Sequence, residues 1–282
     1  MTIEIVSDVN FYDPENLIPY LENDEAIIRN VTKGMLDFSN EETYAGSGAI
    51  ASGTTFKSLT VDASIATAGS AFPAMSNGML KFLGASPKVT LPSTFKLPTT
   101  TKRFMAIFWA KLPASGYQTG SSNVLQSLYG YAANTSTLCQ WAAVLSTFQV
   151  SGARNLMQFY YPASGGSASN LALSDAESAA LCNGELHQIA LLFDGESVAG
   201  MRQAKIYVDK VVKASSAQNT WDGTLNSPAT DAVLGYMTAF QSSYTADGLF
   251  LGRPSVWDLT GTGKNPEDII AADWNSAQGY LA

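Results

Sequence analysis

The sequence predicts an all-β fold in which two sheets pack face to face. Apolar and polar residues alternate with a period of two in several short stretches, as they do in strands that bury one face. Charged residues make up only 14% of the chain, which also contains 23 glycines. This composition suits many short strands joined by polar loops rather than long surface helices. The 282 residues fit one large sandwich or two smaller domains, and we favour one.

The clearest strand pair lies within residues 185–213. The residues that share one side of each strand are His187, Ile189, Leu191 and Phe193, then Ala204, Ile206, Val208 and Val212. Asp194 and Gly195 form a turn signal at the end of the first strand. The following loop runs to about Gln203 and is longer than the ~2 residues of the tightest hairpins. The pattern therefore predicts a hairpin with a long connection.

Residues 1–30 differ from the rest of the chain. Asp13 and Pro14 are typical of a helix start, and Leu17, Ile18 and Leu21 then give a short apolar face. Acidic residues follow. We interpret residues 1–30 as an arm or adaptor and residues 31–282 as the sandwich; the alternative is a first strand and helix that pad the sandwich.

The middle of the chain supplies most of the expected strands. Residues 36–70 fit edge strands and loops, and prolines bracket another loop at 91–101. Residues 104–112 are apolar on both alternating faces, so this strand should be central and covered on both sides. Further strands are expected at 124–131, 138–145, 148–150 and 157–161.

The last third of the chain combines loops, late strands and a helix. Residues 164–170 are expected to form a surface loop and 175–180 one helical turn, before late strands at 233–236 and 248–257. Asn265 and Pro266, followed by two carboxylates, predict the start of a C-terminal helix. Ile269, Ile270 and Trp274 should pack that helix on a sheet.

Four motifs resemble laminin-G-like and pentraxin-like members of the concanavalin A-like jelly-roll superfamily. They are MLKF (79–82) with FMAIFWAK (104–111), LFDG (192–195) with KIYVDK (205–210), LFLGRPSVWD (249–258), and PEDII (266–270). The resemblance covers the chain from about Leu36 and implies a jelly-roll β-sandwich with a short C-terminal helix. In the family a glycine follows the aspartate of the second strand, whereas this chain has Lys210, so that turn should be built differently.

Charge and composition disfavour several partners. The formal net charge of −8 is opposite to what nucleic acid or an anionic membrane attracts. The sequence contains no run approaching the ~18 apolar residues of a membrane span, and its acidic start does not resemble a signal peptide. We expect the chain to fold where it is made. The cysteines, Cys139 and Cys182, are too few for a disulfide framework and are expected to be reduced packing residues.

Catalytic signatures are missing from the sequence. His187 is the only histidine, and its place within an apolar alternation favours a structural role. Glycosidases of the resembled superfamily carry paired carboxylates on one strand, and no such cluster, Walker loop or Cys/His metal pattern occurs here. We therefore expect no enzyme, no catalytic residues and no cofactor.

Two kinds of ligand stay open. The resemblance allows calcium, for which Asp194, Asp222, Asp247 or Asp258 could supply oxygen ligands, although aspartates at turns more often cap the backbone. Sugar sites stack an aromatic ring on a sugar face beside amide or carboxylate groups. The candidate ligand-binding residues are Trp221, Asp222, Tyr236 and Tyr244, in or near loops.

The resemblance also carries the functional expectation. Laminin-G-like chains with few charges and no secretion signal are found among bacteriophage virion components. We expect a non-enzymatic virion structural protein, either a capsid decoration or a tail or baseplate module, assembled in the host cytoplasm. Its partners would be other virion proteins and further copies of itself, with no nucleic acid and no membrane. The alternatives are a carbohydrate-binding module and, less favoured, a glycoside hydrolase or lyase.

Overall fold

The computed structural model describes residues 31–60, 62–117, 124–134, 138–149, 153–238, 240 and 243–281. The predicted arm, residues 1–30, lies outside the described residues, and the division of the chain at residue 31 stays a prediction. Within the described part the fold is an all-β sandwich with a helix at the C-terminal end, as the sequence predicts. No helix of the described residues is long and apolar enough to cross a membrane.

The described residues form nineteen strands and two α-helices. In chain order the strands are β1 (Thr32–Met35), β2 (Thr55–Lys57), β3 (Ile65–Ala68), β4 (Met75–Ser76), β5 (Met79–Lys81), β6 (Gly84–Ala85), β7 (Lys88–Thr90), β8 (Arg103–Lys111), β9 (Val124–Ala132), β10 (Cys139–Gln149), β11 (Ala153–Pro162), β12 (Ala168–Ala172), β13 (Leu186–Asp194), β14 (Met201–Val208), β15 (Val211–Ser215), β16 (Asn219–Thr220), β17 (Val233–Gly235), β18 (Ser243–Tyr244) and β19 (Phe250–Asp258). The helices are α1 (Asp175–Leu181) and α2 (Pro266–Leu281), and short 3-10 turns span Ser93–Phe95 and Ser164–Gly166.

Two antiparallel sheets make up the sandwich. The nine-stranded sheet has the order β15-β14-β13-β8-β19-β5-β4, with β1 beside β19 and β16 beside β14. The eight-stranded sheet has the order β12-β11-β10-β9-β17-β7-β3-β2, and β6 and β18 form a separate small pair. Strands that are distant in the chain therefore become neighbours, as β8 does with both β13 and β19.

The central strands confirm the predicted alternation. In β13, Ile189, Leu191 and Phe193 join the core between the sheets, whereas Ala190 and Leu192 join a second apolar cluster on the other face. Strand β8 is likewise buried on both faces, as expected for a central strand. A strand that is covered on both sides carries apolar residues on both faces, and this is the pattern of residues 104–110 in β8.

Helix α2 covers the outer face of the nine-stranded sheet. It begins at Pro266, and the Asn265 side chain accepts a hydrogen bond from the Glu267 N–H at 3.3 Å. Ile269 and Ile270 are buried in the cluster beneath the helix, and the Trp274 ring stacks on Trp109 with centroids 5.3 Å apart. These contacts confirm the predicted start of the helix and the residues that pack it on the sheet.

The turn after Asp209 corrects one expectation about the central hairpin. Asp209 and Lys210 have φ of 49° and 70°, and Val208 pairs directly with Val211, so the connection is a two-residue hairpin turn. Lys210 adopts the left-handed conformation that favours glycine. That this turn is built differently from the family's stays a prediction. Because β14 ends at Val208, Val212 lies on the next strand and is 41% exposed rather than in the core.

Several boundaries differ from those expected. Instead of separate strands at 138–145 and 148–150, the described residues form one strand, β10, from Cys139 to Gln149, and β11 begins at Ala153 rather than at residue 157. Ala168–Ala172, expected to begin within a surface loop, pairs with β11 as the edge strand of the eight-stranded sheet. Helix α1 ends at Leu181, one residue beyond the expected segment, and Ser174 and Glu177 form a reciprocal capping box at its start. Small polar residues at a sheet edge resemble loop sequence, which explains the error at β12.

Candidate functional site

His187 stands at the start of β13 with both ring nitrogens engaged. Nδ1 lies 2.7 Å from Oδ2 of Asp209, and Nε2 lies 3.2 Å from Oδ1 of Asn183. The other oxygen of Asp209 accepts the Gln188 N–H at 3.0 Å. The histidine thus ties the start of β13 to the turn after β14, which is the structural role that the sequence favoured.

A buried charge cluster lies between the nine-stranded sheet and helix α2, and the sequence reasoning missed it. Arg253 is fully buried and pairs with two fully buried carboxylates, Asp37 and Asp273. Trp109 Nε1 and Gln188 Nε2 also donate to Asp273 Oδ2, at 3.0 and 2.6 Å. An arginine between Gly252 and Pro254 in an apolar strand was the signal that could have been noticed.

Burial governs the electrostatics of this cluster. Desolvation raises the pKa of Asp273, while the Arg253 guanidinium and the donors from Gln188 and Trp109 act in the opposite direction. Because the three charged groups are closed off from solvent, no substrate can reach them. The cluster can hold elements together, but it cannot act as an acid or base on a ligand.

The four aspartates considered for calcium are engaged at separate places. Asp194 pairs with Arg103 (Nε to Oδ2, 3.3 Å) and Asp247 with Lys81 (2.6 Å). Asp258 accepts the Thr101 hydroxyl at 2.9 Å, and Asp222 accepts the Gly165 N–H at 2.7 Å. Among the described residues, no three His, Cys, Asp or Glu side chains come together in a way that would hold a metal ion.

Trp221 packs inside the sandwich. The residue is 6% exposed, and its ring lies edge-on to Phe193 with centroids 5.0 Å apart. A side chain at Gly195 would collide with the ring, which explains why the turn after β13 carries glycine. Asp222, the next residue, is exposed and caps its own loop by accepting the Thr224 N–H at 3.2 Å. The Trp221 ring therefore offers no open face to a sugar.

Tyr244 is also buried, whereas Tyr236 is only partly so. The Tyr244 hydroxyl donates to the Ser127 carbonyl at 2.7 Å. Burial raises the pKa of Tyr244, and the neighbouring Tyr236 raises it further by a smaller amount. The four candidate residues thus fall into two pairs. Tyr236 lies near Tyr244, and Trp221 with its neighbour Asp222 lies beside Phe193. Ligand binding by these four residues stays a prediction; of the three aromatic residues only Tyr236 is partly exposed, and it packs against the core between the sheets.

Tyr236 lines a cavity of about 180 Å³ at the eight-stranded sheet. The apolar lining residues are Ala132, Val233 and Met237, and the polar ones are Lys88, Thr230, Asp231 and Thr238. Residues from β7, β9 and β17 meet here because β17 pairs with both of the other strands. Except for Tyr236, sequence reasoning missed these residues, since no local motif connects segments so far apart in the chain.

Two comparisons with known proteins found nothing: no protein-family model and no curated protein matches the chain. Solved structures do match. The CBM2 module of an evolved Dit protein from Lactobacillus casei BL23 phage J-1 is 10% identical, with a TM-score of 0.43 over 81% of this chain and 95% of that one. The CBM40 of Ruminococcus gnavus IT-sialidase, bound to α2,6 sialyllactose, is 14% identical, with a TM-score of 0.44 over 69% and 96%. The binding domain of botulinum neurotoxin serotype D is 9% identical, with a TM-score of 0.46 over 90% of this chain but only 52% of that one.

Proposed function

We propose that this protein is a non-enzymatic structural component of a bacteriophage virion, a laminin-G-like jelly roll that works through protein contacts. The proposal takes up the sequence resemblance and is carried by one observation at the edge of the nine-stranded sheet. There, Val211 and Val212 of β15 are 54% and 41% exposed. Exposed apolar residues on an edge strand invite pairing with another chain, which natural proteins otherwise prevent with charges.

The charge distribution supports contact with protein rather than with polyanions. The net charge is −8, and Lys213 is the only charged residue in β15. A strand added to this edge would satisfy its outward backbone groups and cover both valines. We therefore infer that β15 is the docking edge for a second copy or for another virion protein, in a capsid decoration or in a tail or baseplate.

The non-enzymatic part of the proposal is supported by how the ionisable groups are used. The one histidine has both ring nitrogens engaged, and the Arg253 cluster is buried. Incubation with a panel of bacterial surface polysaccharides tests this part. Chain shortening would establish a hydrolase or lyase and overturn the proposal.

A variant test addresses the docking edge. Val211→Lys and Val212→Lys should fold normally because lysine is tolerated on edge strands. Each should lower the fraction of chain recovered in purified particles and shift self-association, measured by light scattering, towards monomer. Ile65→Lys, at an aliphatic residue that is 52% exposed on β3, is the matched control and should change neither. If all three variants assemble like the parent, β15 is not the docking edge.

A second candidate function is carbohydrate binding, with surface attachment as its purpose. The observation in its favour is the cavity at Tyr236, where apolar side chains lie beside hydroxyl and charged groups. A glycan array separates the two candidates. Absence of signal on every glycan would remove this second function and leave the protein-contact proposal untouched.

A further inference from the structure

The cavity at Tyr236 has the size of a site for one small polar ligand. Its volume of about 180 Å³ is below the ~300–1,000 Å³ of sites for drug-sized molecules. Val233 and Met237 are 5% and 3% exposed and give it an apolar side, while Thr230 and Thr238 supply hydroxyls. A molecule with one apolar face and several hydroxyl groups matches this lining, and a single sugar ring has that character.

The charges around the cavity do not cancel. Asp231 is already neutralised, because its Oδ1 lies 2.9 Å from Lys96 Nζ. Lys88 lines the same cavity, and no acidic side chain among the described residues pairs with it. The cavity is therefore locally positive in a chain of net charge −8. A ligand carrying a carboxylate would supply the missing partner.

Hydrogen-bonding capacity is also left over for the ligand. Asp231 Oδ2 has no partner within the described part of the chain and can accept from a sugar hydroxyl. The Thr230 hydroxyl donates to the Ala132 carbonyl at 3.4 Å, so its oxygen can still accept. The apolar side formed by Val233 and Met237 provides a surface for the C–H face of a sugar.

We propose that this cavity binds a single sugar unit bearing a carboxylate, of the hexuronic acid class. Lys88 pairs with the carboxylate, Asp231 and Thr230 accept from the hydroxyls, and Val233 and Met237 contact the C–H face. This inference rests on the second candidate function, carbohydrate binding, and is independent of the β15 contact.

Calorimetric titration of the full chain with glucuronate and with glucose tests the charge requirement, since the two sugars differ by a carboxylate in place of a hydroxymethyl group. We expect glucuronate to bind about tenfold more tightly, the magnitude of one hydrogen bond to a charged group. Lys88→Gln should remove this preference and leave the weak binding of glucose as it was. Lys57→Gln, at a lysine on β2 that pairs with Glu42, is the matched control and should leave the preference unchanged.

A second pair of variants tests the hydroxyl contacts. Asp231→Asn should weaken the binding of both sugars, whereas Asp247→Asn should not, although both carboxylates form surface pairs with lysine. Equal affinity for the two sugars, or equal effects of Lys88→Gln and Lys57→Gln, would overturn the proposal. Absence of any glucuronate binding would also overturn it, while particle recovery of the β15 variants would still report on the protein-contact function.

Discussion

The guanidinium of Arg253 lies against the carboxylate of Asp273, with Nε 3.0 Å from Oδ1 and both side chains fully buried. Arg253 belongs to β19 and Asp273 to α2, and Asp37 after β1 contacts the same guanidinium. The pair thus fastens the C-terminal helix to the sheet that it covers. A buried ion pair adds little net stability compared with apolar packing, and Asp37 would still balance the charge of Arg253 if Asp273 were removed. Removing Asp273 would instead leave buried donors without their acceptor.

Removal of Asp273 is therefore expected to be severe. Asp273→Ala should lower the free energy of unfolding by about 3–5 kcal/mol, because the buried donors of Arg253 and Trp109 lose their acceptor and that of Gln188 loses one of two. Urea denaturation followed by tryptophan fluorescence measures this. Asp268→Ala, at an exposed residue of the same helix, should cost less than about 1 kcal/mol. Similar losses for the two variants would show that the buried pair does not anchor the helix.

Much of the architecture could be predicted because it depends on local periodicity. The alternation in β13 and the apolar faces of β8 follow directly from side-chain direction in a strand. The Arg253 cluster could not be predicted in this way, since Asp37 and Arg253 are separated by 216 positions in the chain. Val212 was misplaced for a related reason, because only the positive φ values at 209 and 210 show that β14 has already ended.

The site residues were harder to predict than the strands. Trp221 and Tyr244 were chosen because they lie near turn signals, but proximity to a turn does not decide burial. Trp221 is enclosed by Phe193 and Gly195 from the central hairpin, which is a tertiary contact. The cavity at Tyr236 depends on the pairing of β7 with β17, and neither strand contains a recognisable binding motif.

Lys210 offers a test of backbone strain in the hairpin turn. It holds φ at 70°, and its ammonium lies 4.9 Å from the centre of the Trp274 ring. Lys210→Gly and Lys210→Ala both remove the contact with the ring, but only glycine relieves the left-handed conformation. The Gly variant should therefore exceed the Ala variant in unfolding free energy by about 0.5–1 kcal/mol. Denaturant titration of the two variants measures the difference, and an Ala variant of equal or greater stability would contradict it.

The thiols of the two cysteines should not react with alkylating reagents in the folded protein. Both are free and buried, and burial raises the pKa of Cys182 to about 12 and that of Cys139 as well. At pH 8 roughly one Cys182 in 10,000 would be a thiolate, which is the reactive form. We expect no labelling by iodoacetamide at pH 8 in the native state and labelling of both thiols in denaturant. Rapid native labelling, or an unreactive denatured chain, would contradict the buried free thiols.

Asp194 should make the protein less stable in acid. Burial alone would raise the pKa of Asp194, but the Ser197 hydroxyl, the N–H groups of Ser197 and Glu196, and Arg103 together lower it below the ordinary 3.8. A carboxyl whose folded-state pKa is depressed adds stability above its unfolded pKa and loses it as the pH falls through the folded value. The stability difference between the parent and Asp194→Asn should thus be constant above about pH 5 and shrink below about pH 4. Ser197→Ala removes one donor to Asp194 and should therefore shift this decline to higher pH. Urea titrations across that pH range measure both effects. A stability difference between the parent and Asp194→Asn that grows on acidification would show that the pKa of Asp194 is raised instead.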